Sequence, residues 1–177
     1  PPRSTLFPYT TLFRSPQPQS KYVARSANAR MQSVAEQYRN APDVVAGRKR
    51  VLGDFLVLVG LMQSNGVKVV VGTDLADGRI FPGFSVHEEL ALLVQAGFTP
   101  NDAIQAATRL PAELLRLRDA GTIEQGKRAD LVLLSANPLD DIRNTTKIEA
   151  VVLRGQLLNR ARLEALLQDA ARLAAEN

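Results

Sequence analysis

The stretch Val67-Lys68-Val69-Val70-Val71-Gly72-Thr73-Asp74 decides the fold: an apolar, β-branched run that stops at a carboxylate. A continuous run of this kind reads as a strand buried on both faces, as in a parallel sheet covered by helices. Asp74 then stands at the carboxyl end of that strand. Barrels and open α/β sheets place their chemistry there, because strand-end side chains converge while the body of the strand packs the core. The same residue also suits a plainer role as a cap for the loop that follows.

Working outward, Lys21 to Tyr38 is a mixed polar and small-residue segment that favours helix. Pro42 and Asp43 mark a new start. From Val44 to Gln63 the residues Val44, Val45, Val51, Leu52, Phe55, Leu56, Leu58, Val59 and Met62 recur at near-helical spacing, which predicts an amphipathic helix. Asn65-Gly66 ends it and the Val67 run follows at once, so helix, tight turn and strand make half of an α/β unit. Beyond Asp74, the segment Leu75 to Phe84 carries Gly78, Arg79, Pro82 and Gly83, a composition suited to a loop that shapes a pocket. Ser85 with Glu88 three residues on reads as a capping box opening a helix that runs to Gly97. Thr99-Pro100, with Asp102 near the N-terminus, opens another that reaches about Thr108. A short turn resumes at Pro111, and Gly121 closes the helical part.

From Gly121 the period changes. After a turn at Gln125-Gly126, Ala129 to Leu134 is an apolar strand, broken by Asn137-Pro138. Ile148 to Leu153 and Gln156 to Leu158 flank Arg154-Gly155 and read as a hairpin. These strands form a second, smaller β layer. Leu163, Leu166, Leu167, Ala170 and Leu173 then give a final amphipathic helix from Arg160.

Composition narrows the classes. With 177 residues, 45% apolar and 23% charged, the chain is ordinary for a globular protein of one domain or slightly more. No apolar run approaches the roughly 20 residues of a membrane span, so none is expected. The formal charge of +4 comes from Lys and Arg scattered among acidic residues, without a basic stripe or interleaved aromatics, so nucleic acid is not an expected partner. The lack of Cys removes disulfides and thiolate metal sites.

Residues 1–15, PPRSTLFPYTTLFRS, resemble one reading frame of the adapter oligonucleotide used in short-read DNA sequencing. They have no initiating Met, apolar core or A-x-A-like cleavage site of a targeting peptide. The segment is expected to be an artefact, disordered, and the rest a fragment of a longer parent; without Arg3 and Arg14 the charge falls from +4 to +2.

Five motifs in order carry a second resemblance: Gly72-Thr73-Asp74, Ser85-Val86-His87-Glu88-Glu89-Leu90, Ala96-Gly97-Phe98-Thr99-Pro100, Ala106-Ala107-Thr108, and Gly121-Thr122-Ile123-Glu124-Gln125-Gly126-Lys127-Arg128-Ala129-Asp130-Leu131-Val132. From about Ala27 to Arg162 the chain resembles the C-terminal third of amidohydrolase-superfamily metal-dependent hydrolases, of the imidazolonepropionase-like and prolidase-like branch. The resemblance implies an α/β fold, the C-terminal portion of a TIM-type (β/α)8 barrel with part of a urease-like β-sandwich and a C-terminal helix. Residues 16–120 would belong to the barrel, with Val67 to Gly72 its eighth strand, 121–160 to the sandwich, and 161–177 to the terminal helix.

By the same resemblance, Asp74 is a catalytic residue and a metal ligand. It would ligate a divalent cation, zinc, and pass a proton from the attacking water to a leaving nitrogen, hydrolysing a C–N bond in a dipeptide, cyclic amide or related small molecule. Two substrate-binding candidates accompany it. His87 lies within a helix, not at a strand end, and is expected to line the pocket, against the plainer role of a helix-start His paired with Glu88 or a backbone group. Arg79 is expected to meet an anionic substrate group, against that of a solvated loop cation. Asp130 is expected to serve structure. The other ligands of the family, a His-x-His pair and further single His residues, cannot come from a chain with one histidine. Two expectations therefore stand together: a parent hydrolase, homo-oligomeric, and a 177-residue piece without catalysis or tight metal binding of its own. A phosphoacceptor Asp on a receiver-like sheet would need more acidic residues near a preceding strand, and none is there. The unpaired strand edges and apolar helix faces of such a piece predict poor solubility or association.

Overall fold

A computed structural model describes residues 18–39, 41–74 and 80–176; residues 1–15 and Arg79 fall outside them. A 3₁₀ turn at Pro18–Tyr22 leads into α1 (Arg25–Arg39) and the long α2 (Pro42–Ser64), which starts with Pro in its first turn and ends at the Asn65 cap. Its apolar residues divide between two faces: Leu52, Leu56 and Val59 are half-buried, with Val59 packed against the core, whereas Val51, Phe55, Leu58 and Leu61 are exposed. No described helix is long and apolar enough to cross a membrane.

The centre of the molecule is the pair α3 (Ser85–Gln95) and α4 (Pro100–Ala107). Leu90, Ala91, Leu93, Phe98, Ala103, Ala106 and Ile142 form its core, with Val69 and Val71 packed against them. The Thr99 hydroxyl accepts the Asp102 N–H at 3.1 Å and donates to the Asp102 carboxylate at 2.7 Å, so the cap-then-proline start forms as its chemistry requires. The start of α3 differs from expectation. Ser85 is its first helical residue, and its hydroxyl accepts the Phe81 N–H at 2.9 Å, so the expected capping box with Glu88 is replaced by a bond reaching backwards. A further short helix, α5 (Arg109–Leu114), begins two residues before Pro111.

The strand expected over the Val67 run pairs with no other strand among the described residues, and the run carries no strand assignment there. Full burial is likewise not found: Val69 and Val71 pack against the core and Val70 is half-buried, whereas Val67 is 46% exposed and Lys68 reaches out to Glu113 at 3.2 Å.

The second layer is a three-stranded antiparallel sheet of β1 (Leu131–Leu134), β2 (Ile148–Leu153) and β3 (Gln156–Leu158), in that order. Leu131 faces Val152 and Leu133 faces Ala150 across a ladder that shifts register before Leu134; Leu153 faces Gln156 across the hairpin. Arg154 and Gly155 both have positive φ, 51° and 82°, the two-residue turn whose twist matches that of its strands. The Asp130 carboxylate accepts the Arg154 N–H at 2.7 Å and pairs with Arg128 at 2.5 Å, and it is held below the ordinary carboxylate range chiefly by that backbone bond. A 3₁₀ turn at Ile142–Thr146, capped by the Asp141 side chain on the Arg143 N–H, precedes β2 and packs on α3. The chain ends in α6 (Arg160–Glu176).

Candidate functional site

Asp74 closes the segment with φ of 49°, a left-handed conformation that Asp and Asn adopt more readily than other non-glycine residues. Its side chain is exposed. Two hydrogen bonds just upstream set where it stands. The Val71 N–H donates to the Ala106 carbonyl at 2.9 Å, and the Gly72 N–H donates to Glu89 Oε1 at 2.8 Å. The strand end is therefore suspended from α4 by one amide and from α3 by the next.

His87, on the first turn of α3, is half-buried, and burial lowers its pKa below the ordinary 6.5. Its Nδ1 lies 3.0 Å from Thr145 Oγ1, 58 residues along the chain, so its partner is neither Glu88 nor a backbone group. Glu88, also half-buried, has its pKa raised above the ordinary 4.5 by desolvation. His87 and Glu89 are about 200° apart round the helix. The two side chains leave α3 on different sides, His87 toward the 3₁₀ turn and Glu89 toward Gly72. The structure thus joins Asp74 to Glu89 through one bonded amide, while His87 joins α3 to the sheet layer. Nothing in the sequence singles out Glu89, because its partner Gly72 lies 17 residues away.

Among the described residues no group of three or more His, Cys, Asp or Glu comes together to hold a metal ion. An exposed carboxylate at a fixed backbone position suits one oxygen ligand of a divalent cation.

Residues 16–158 match the sequence profile of the amidohydrolase family. The chain belongs to the amidohydrolase family. It is 42% identical over 81 residues to an imidazolonepropionase of Deinococcus deserti, covering 45% of this chain and 20% of that protein. It is 32% identical over 90 residues to a 5-methylthioadenosine/S-adenosylhomocysteine deaminase of Halalkalibacterium halodurans, covering 47% and 20%. Among solved structures it is similar to a Xaa-Pro dipeptidase crystallised with methionine in the active site, with a TM-score of 0.52 and 34% identity over 58% of this chain and 25% of that one. The chain thus spans about a fifth to a quarter of the length of these amidohydrolase relatives. Within the family's barrel and urease-like fold, its helices and extended segment make a partial α/β unit, and its three strands a small sheet.

Proposed function

We propose that the chain is the C-terminal part of a metal-dependent amidohydrolase that hydrolyses a C–N bond of a dipeptide, cyclic amide or related small molecule, with Asp74 as metal ligand and proton shuttle. The carrying observation is the exposed Asp74 carboxylate, held left-handed at the end of a segment bonded to two helices. A divalent metal, zinc in this proposal, would acidify water and polarise the scissile carbonyl. Asp74 takes the water proton on one carboxylate oxygen and returns it to the departing nitrogen, acting as base and then as acid. Arg79 meets an anionic group of the substrate. His87, whose Nδ1 is occupied by Thr145, contacts substrate through Nε2.

Recovering the coding sequence upstream of Pro16 is the first test. A His-x-His pair on an early strand is expected, and a frame without one overturns the proposal. In the protein so obtained, Asp74→Asn is expected to lower turnover by about 10²–10⁴. A companion reading applies to the 177-residue chain itself, that it is non-catalytic and binds no metal tightly, because one histidine cannot supply the family's His ligands. Stoichiometric, tightly held zinc together with hydrolase turnover in this chain would refute it.

A further inference from the structure

Resting on that role for Asp74, we propose that Glu89 is its positioning residue, acting through the hydrogen bond that its Oε1 accepts from the Gly72 N–H. One residue separates the bonded amide from Asp74, so fixing Gly72 leaves only Thr73 between a helix-anchored point and the carboxylate. Glycine at position 72 gives the backbone the widest range of conformations, and nothing described lies within 4 Å of where its Cβ would be. Packing does not hold Gly72 in place; the bond does. The Val71 bond to Ala106 and the Gly72 bond to Glu89 tie two successive residues to two different helices.

The other oxygen of Glu89 adds an independent observation. Oε2 is buried and has no partner among the described residues, an arrangement that costs stability. A polar atom left in that state marks a side chain placed for its other oxygen, the one that holds the Gly72 amide. The left-handed φ of Asp74 lies two residues beyond the bonded amide.

Amide hydrogen exchange on the 177-residue chain reads this directly. Glu89→Ala is expected to lower protection of the Gly72 amide by about tenfold while the amides of Ala103 and Ala106 keep theirs. Glu89→Gln, which retains an acceptor oxygen at the same reach, is expected to restore most of it. Should Glu89→Ala loosen the whole core, Glu89→Asp decides instead: it keeps the charge but is one methylene short, and Gly72 protection is again expected to fall. Unchanged Gly72 exchange in Glu89→Asp, or in a folded Glu89→Ala, overturns the proposal. In the longer enzyme, Glu89→Ala is expected to lower kcat with little change in KM, with rescue by Glu89→Gln. Full activity of Asp74→Asn there would sink the functional reading while leaving the exchange result standing, so the two failures are distinguishable.

Discussion

Thr145 gives its only hydroxyl hydrogen to the Ile142 carbonyl at 2.8 Å, so in its 3.0 Å contact with His87 the donor is the His87 Nδ1–H. Neutral His87 is thereby fixed as the Nδ1–H tautomer, with the lone pair on Nε2. Thr145→Val removes the acceptor and leaves a half-buried N–H without one. The urea midpoint is expected to correspond to a loss of about 1 kcal/mol, with Thr145→Ser close to the parent chain.

The same neighbourhood sets a pH dependence. Burial depresses the His87 pKa, so the unfolded chain takes up that proton first; the stability His87 contributes is complete above about pH 6.5 and is lost as pH falls through its folded value. Glu88 runs the other way. Its raised pKa confers stability that is complete below about pH 4.5 and is lost as pH rises through its folded value. Urea midpoints measured between pH 7 and 5 should fall toward acid in the parent chain and fall less in His87→Gln. Equal slopes in the two proteins would remove His87 from this account.

Backbone strain and charge at Asp74 can be separated by substitution. Asn tolerates the left-handed region well, so Asp74→Asn should leave the folded chain as stable as before. Asp74→Val, β-branched at φ of 49°, should cost about 1–2 kcal/mol by urea titration.

Gly121 and Gly126 form a matched pair, with φ of 87° and 86°. A Cβ at Gly121 would lie 2.6 Å from Ala112 Cβ and 2.9 Å from the Thr108 carbonyl oxygen, whereas one at Gly126 meets nothing within 4 Å. Gly126→Ala should cost only the conformational term, about 1 kcal/mol, and Gly121→Ala clearly more. Thermal midpoints that move equally would show that the loop beside Thr108 yields freely.

Val51, Phe55, Leu58 and Met62 follow one another up a single face of α2, all exposed. Light scattering is expected to show concentration-dependent association of the chain, reduced by Phe55→Glu with Leu58→Glu. A monodisperse monomer at high concentration would contradict this.

What the sequence disclosed was local chemistry. Asn65-Gly66, Thr99-Pro100 and Arg154-Gly155 could be read because each boundary is decided by the few residues that form it. Ser85 departs from its motif for the converse reason: Ser-x-x-Glu describes the hydroxyl and the carboxylate but is silent about the Phe81 N–H that donates to the hydroxyl instead. The Val67 run shows that β-branching states a preference for extended backbone and nothing about where partners lie. The 142–146 turn carries a local signal of the same kind, Asp141, whose carboxylate accepts the Arg143 N–H. Glu89 to Gly72 and His87 to Thr145 span 17 and 58 residues, and no periodicity encodes contacts of that kind.

Ala103 and Ala106, each 0% exposed, fill their places in α4 with a single methyl group, and the Ala106 carbonyl holds the Val71 amide. Side chains that small make poor targets for truncation. A conventional alanine scan would pass straight over both positions, although the distance from α4 to the strand end is set there. Enlarging them, as in Ala106→Val, is how their part in placing Asp74 becomes visible.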